Sequence, residues 1–248
     1  MQRSDEDRLL LHIQQRFNKA CADYGLIEEG DRILVGVSGG KDSLVLLELL
    51  GNRAKIFKPH FEVEAAHVIM TNIPYRTDTI YLSKMAEDVD IPFHVIDTSF
   101  DPSTDHRHTP CFLCSWNRRK VLFDKAKELH CNKIALGHHM DDLLVTLLMN
   151  MTFQGAYGTM PPKLKMDKFD MTIIRPLCQI CEKDLNKMAL IRGYRPQEKS
   201  CPYENASHRN SIKKILYQIE KISPEARYNM WGAMTNIQTN LLPPKVHK

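Results

Sequence analysis

The feature that most constrains this chain is an interruption in an apolar run. RILVGV at residues 32–37 gives way to SGGKDS at 38–43, and LVLLELL at 44–50 then resumes the apolar character. A short apolar run bounded by turn residues reads as a buried strand, and the longer one after it as a helix. Two adjacent glycines between them let the backbone come close to a ligand. A helix N-terminus also offers unpaired N–H groups and the positive end of a dipole. The unit is a cradle for an anion, to which Lys41 adds a charge and Ser38 and Ser43 add hydroxyls. It is neither the G-x-x-x-x-G-K-[ST] loop nor the G-x-G-x-x-G loop. A plain turn has no need of Asp42, because a carboxylate beside a phosphate is repulsive unless Mg²⁺ lies between them.

The alternation continues along the chain. FEVEAAHVIM (61–70), PFHVID (92–97), NKIALG (132–137) and MTIIRPL (171–177) read as further strands. Helices are expected over 5–24, 43–50, 77–90, 118–130, 141–151 and 181–193. Residues 154–170, rich in Gly, Pro and Lys, read as a mobile loop; so does PQEKSCPYENASHRN, with Ser207 or Asn210 capping a last helical region. This pattern predicts an α/β fold: an open parallel sheet with helices on both faces, an N-terminal helix and a helical C-terminal region. The expected organisation is an N-terminal helix (1–29), an α/β domain carrying the SGGKDS loop (30–195), and a cysteine loop with helices (196–248) packed on that domain. Ligands of such sheets sit beyond the carboxyl ends of the strands. Both SGGKDS and GHHMDD (137–142) fall there.

Composition narrows the class. With 43% hydrophobic and 26% charged residues the chain is an ordinary globular one rather than a disordered one. No apolar stretch approaches the roughly 20 residues of a membrane span. The polar, acidic start MQRSDEDRLL does not resemble a signal peptide, so a cytoplasmic protein without a membrane partner is expected. The net charge of +4 permits a polyanionic partner without demanding one, and from Arg175 onward basic residues clearly outnumber acidic ones. Seven cysteines, at 21, 111, 114, 131, 178, 181 and 201, are an odd number. Where they cluster, metal binding or sulfur chemistry is a better reading than a disulfide scaffold.

SGGKDS after an apolar strand resembles the PP-loop ATP pyrophosphatase superfamily, whose signature is S-G-G-x-D-S. The resemblance implies cleavage of ATP between its α- and β-phosphates, with pyrophosphate held by Ser38, Gly39, Gly40, Lys41, Asp42 and Ser43. Lys41 and Asp42 are the expected catalytic residues, and Asp42 is also the expected Mg²⁺ ligand. A second element, G-H-x-x-D-D, is matched by Gly137, His138, Asp141 and Asp142, which implies nucleotide or Mg²⁺ contacts. Adjacent carboxylates at a helix start are also common caps. Val145 stands where that superfamily often has Glu, so no role of that Glu carries over.

The remaining motifs narrow the resemblance to the tRNA 2-thiocytidine synthetase family. They are P-C-x-x-C (Cys111, Cys114), G-H-H-x-D-D, M-P-P-K (160–163) and RPLCQICEKD (175–184), in this order across residues 30–215. That family implies a [4Fe–4S] cluster on Cys111, Cys114 and Cys201, with one iron left open. It also implies ATP-dependent sulfur transfer to C2 of cytidine 32 in a tRNA anticodon loop. The implied partners are tRNA and a sulfur donor such as a cysteine desulfurase, with a homodimer left open. Spacing alone leaves zinc and iron–sulfur level, and a redox C-x-x-C is the third reading. Cys178, Cys181, Cys21 and Cys131 read as packing residues. Arg118, Arg119, Lys163 and Arg209 are candidate RNA contacts, together with Lys120, Lys165, Lys213 and Lys214. Trp116 and Tyr203 sit beside cluster cysteines, for packing or base stacking. Two alternatives stay open: a PP-loop enzyme for another tRNA base or a small substrate, with zinc or no metal at the cysteines, and a non-catalytic nucleotide- or RNA-binding module.

Overall fold

The computed structural model describes residues 4–56, 58–73, 77–101, 110–167, 169–196 and 208–243, and only the backbone of residues 110 and 111. The chain divides into two compact units, Met1–Met140 with Pro161–Ser207 and Asp141–Met160 with His208–Lys248.

The first unit holds six strands: β1 (Arg32–Gly36), β2 (Glu62–Met70), β3 (Phe93–Thr98), β4 (Lys133–Ala135), β5 (Lys163–Lys165) and β6 (Thr172–Ile174). Their order in the sheet is β3-β2-β1-β4-β6-β5. Every neighbouring pair is parallel except β5 with β6. The chain winds outward from β1 to β3 and then returns to lay β4 on the other side of β1. Order therefore reverses between β1 and β4, where such sheets open a ligand crevice. SGGKDS leaves β1 at this point, and GHH follows β4.

Side-chain alternation along each strand builds two cores. Ile33 and Val35 pack with Ile13 and Phe17 of α1 (Asp5–Asp23), Leu46 of α2 (Lys41–Ala54), Leu82 of α3 (Thr79–Glu87) and Leu185 of α6 (Glu182–Ile191). Leu34, Ala66, Ile134 and Ile173 face the other way, onto Phe123 and Ala126 of α4 (Pro110–Glu128). Burying each large aliphatic side chain contributes about 1.5–3 kcal/mol. A one-residue register slip would exchange the two sets, so the register is firmly specified. Helix α1 begins in a capping box: the Ser4 hydroxyl accepts from the Asp7 amide and the Asp7 carboxylate accepts from the Ser4 amide.

The second unit is helical, with most of α5 (Met140–Met149), then α7 (Arg209–Ile222) and α8 (Ala226–Ala233). Helix α5 runs into a π-helical turn, Asn150–Gln154, which stops at Gly155 in the left-handed region (φ +60°). Ile212 and Leu216, one turn apart, form the buried stripe of α7.

The expected open parallel sheet is present, with one antiparallel strand added at its edge. Three expectations are corrected. The 154–170 stretch is not all loop, because β5 lies within it as that antiparallel edge; its exposed lysines suit an edge strand. Helix α4 starts at Pro110 rather than near residue 118, so the C-x-x-C lies in its first turn. Asn210 is inside α7, whose N-cap is His208; Ser207 lies outside the described residues. Among the described residues no helix is long and apolar enough to cross a membrane.

Candidate active site: a self-stapled glycine loop

The loop after β1 holds its own shape. Gly39 has φ +88°, a conformation that favours glycine, and Gly40 is the N-cap of α2. The Ser43 hydroxyl donates to the Gly40 carbonyl at 2.7 Å and accepts from the Ser38 amide and hydroxyl, each at 3.2 Å. The Gly40 amide donates to Ser38 Oγ at 3.3 Å. Ser38 and Ser43, expected as phosphate contacts, thus staple the loop to itself. Of the first amides of α2, that of Ser43 donates to the Gly40 carbonyl at 3.0 Å, while those of Lys41 and Asp42 precede the first bond of the helix.

Lys41 lies over this helix start, 2.9 Å from Asp42 Oδ1 and 3.7 Å from Glu182 Oε1, and is partly exposed. Buried His139 brings Nε2 to 3.9 Å from Asp42 Oδ2. A cation between two carboxylates relieves their mutual repulsion. Sequence reasoning missed Glu182 as a site residue. The CEKD motif was the signal, because it starts α6 and the fold brings that start to Lys41. Gly137 serves the loop from behind. A Cβ there would meet the backbone of Asp42 and Ser43 at 3.1 Å, so a larger residue would have to push that backbone back. His138, the next residue, is half-buried.

Two motifs meet at Arg175. Its amide donates to the Pro162 carbonyl at 2.8 Å and its guanidinium to the Pro161 carbonyl at 2.6 Å, which ties M-P-P-K to R-P-L. Burial, and then the charge of Arg119, lower the Arg175 pKa to about 10. Lys163 donates to the Gly25 carbonyl at 2.7 Å and reaches Glu28 at 3.3 Å, which occupies it within its own unit. Arg119 is exposed, Arg118 is half-buried, and Lys120 lies over the half-exposed Trp116 ring at 5.7 Å.

In the second unit both expected acidic residues are ion-paired. Asp141, 2% exposed, bonds Arg227 Nε at 2.9 Å, and Arg227 also pairs with Glu220 and stacks over Tyr217. Burial disfavours the Arg227 charge, but Glu220 and Asp141 outweigh it and raise its pKa. Asp142 is more open and holds Arg209 at 2.6 Å. Val145 is buried, so this position serves packing where a Glu would be desolvated.

Of the three cysteines expected to hold a cluster, Cys201 lies outside the described residues. Cys111 is placed only as the second residue of α4, one turn before Cys114. Cys114 is a free thiol, half-buried against Val68, Met70, Ile73 and Phe100. A soft sulfur donor in an apolar shell is chemically suited to iron–sulfur or zinc. Cys178 and Cys181 are buried and pack; burial pushes Cys178 up to about 12 and Cys21 likewise to about 12. Among the described residues no three His, Cys, Asp or Glu side chains are grouped to hold a metal ion. Mg²⁺ commonly takes one or two carboxylates plus substrate phosphates, and Asp42 beside the cradle fits that mode.

The fold and the loop define a class, and comparison with known proteins agrees. A family model described as a PP-loop domain matches residues 9–235. A tRNA-cytidine(32) 2-sulfurtransferase of Syntrophotalea carbinolica is 37% identical over 243 residues, covering 94% of this chain and 92% of its own. The enzyme of the same name from Geotalea uraniireducens is 34% identical, covering 96% of each. The chain belongs to the PP-loop family, on the branch of the tRNA-cytidine(32) 2-sulfurtransferases. The fold is also that of the U34-tRNA thiolase NcsA from Methanococcus maripaludis, solved with its [4Fe–4S] cluster. That match has a TM-score of 0.78 at 24% identity and covers 96% of this chain and 82% of that one.

Proposed function

We propose that this chain is an ATP-dependent tRNA sulfurtransferase that replaces the C2 oxygen of cytidine 32 with sulfur. The observation that carries the reading is the relationship to enzymes of that name over nearly the full length of both chains. The cradle supplies the first half of the chemistry. The amides at the start of α2 and Lys41 bind the phosphates and stabilise the charge that develops on departing pyrophosphate. Swinging from Asp42 and Glu182 to the phosphate is a short movement for the partly exposed Lys41 amine. Asp42 would hold Mg²⁺, which would supply charge neutralisation at the phosphates. Transfer of AMP to the C2 oxygen turns a poor leaving group into a phosphate-stabilised one.

Cys111, Cys114 and Cys201 would hold the [4Fe–4S] cluster, which when bound supplies an iron position open to inorganic sulfur. Arg118 and Arg119 suit phosphates of the anticodon stem-loop.

The test is anaerobic purification with iron, sulfide and zinc analysis, followed by nucleoside analysis of tRNA incubated with ATP and sulfide. Iron and sulfide with ATP-dependent 2-thiocytidine are expected. Cys114→Ala or Cys201→Ala should remove both, while Cys178→Ala retains them. A colourless protein with stoichiometric zinc, or thiolation at another base, would refute the proposal.

A further inference from the structure

His67 is a buried polar residue that the chemistry above does not use. It lies on β2, level with the start of the glycine loop, and is 1% exposed. Its Nδ1 is 2.7 Å from the Val37 carbonyl oxygen. A carbonyl can only accept, so Nδ1 carries the proton and Nε2 presents a lone pair. Among the described residues Nε2 has no hydrogen-bond partner. Burial disfavours the charged ring, the Val37 bond opposes this, and the Arg118 charge adds to it; the net effect lowers the pKa. The ring is therefore a fixed neutral acceptor that protonation does not readily convert into a donor.

His67 lines a cavity of about 140 Å³, walled by Ser38, Val68, Arg118, Leu122 and Leu136. A water molecule takes about 30 Å³ and needs two or more polar partners. The cavity is several times that size and mostly apolar, so it suits a flat ring carrying one donor better than a chain of waters.

We infer that Nε2 of His67 accepts a hydrogen bond from the exocyclic amino group of a nucleobase seated in this cavity, selecting amino bases against oxo bases. The inference rests on the proposed function for its two sources of such a base, the adenine of ATP and the cytosine of the RNA. Inosine and uracil place a carbonyl oxygen where the amine would be, and two lone pairs then face each other. A buried acceptor left unmatched discriminates more strongly than a gained contact does.

Calorimetric titration of the full chain separates the sources. One arm compares ATP with inosine triphosphate, and the other compares anticodon stem-loops with cytosine or uracil at the target position. Wild type should prefer the amino base by about tenfold or more in one arm. His67→Ala should bring that ratio to near one and leave the other arm unchanged. Equal ratios in wild type and variant in both arms would overturn the inference. If His67→Ala does not fold, nitrogen-15 NMR of the wild-type ring decides: Nε2 should shift on adding the base-bearing ligand, and an unmoved signal with both ligands overturns it. Binding needs no turnover, so a protein that discriminates but does not thiolate would refute the proposed function and keep this inference.

Discussion

The glycine loop and the aspartate pair were equally conspicuous in the sequence, yet their polar side chains are spent differently. In the loop, hydroxyls bond to the loop's own backbone, and the charged groups Lys41, Asp42 and Glu182 are partly exposed or close to the surface. In the pair, Asp141 is sunk in a buried bridge to Arg227 while Asp142 holds an accessible one to Arg209. A motif can thus keep its charged side chains near the surface beside an anion cradle, or tie them into ion pairs with the helices around it. Burial and partners tell the two apart, and spacing does not.

The largest effect expected of this difference is on stability. Asp141→Ala strands a buried guanidinium, which typically costs 3–5 kcal/mol. Glu220 remains on Arg227, so about 3 kcal/mol is expected, read as a lower urea midpoint together with loss of the helical signal. An unchanged midpoint would erase the distinction. Lys41→Ala should do the reverse, lowering ATP-dependent pyrophosphate release by about a hundredfold at an unaltered midpoint. Gly137→Ala lies between these extremes. Its methyl group presses on the Asp42–Ser43 backbone, so a loss of about 1–3 kcal/mol should come with weakened ATP binding by calorimetry. Asp142→Asn is the mildest. A partly exposed pair is worth about 1 kcal/mol, so its midpoint should stay close to wild type, and any fall in thiolation would then report a role beyond holding Arg209.

The sheet was legible because each strand is an apolar run and each helix has its stripe. Ile33, Leu34 and Val35 announce a two-sided strand without any tertiary information. Strand β5 was not legible: Lys163, Leu164 and Lys165 follow two prolines in a glycine-rich stretch, and only pairing with β6 makes them a strand. The early start of α4 hid behind the C-x-x-C, although Pro110 suits a first helical turn. At the site, Gly39, Gly40 and Lys41 could be read directly. Glu182 could be read as part of a motif but not as a neighbour of Lys41, 141 positions away, because that proximity is made by the docking of α6. The partners of Asp141 and Asp142 were illegible for the same reason.

Because Ser38 and Ser43 lock the cradle through their own hydroxyls, its shape exists before any nucleotide arrives. Capture of the triphosphate then proceeds without a folding step, and the speed of that first encounter should follow solvent viscosity rather than any internal rearrangement of the loop.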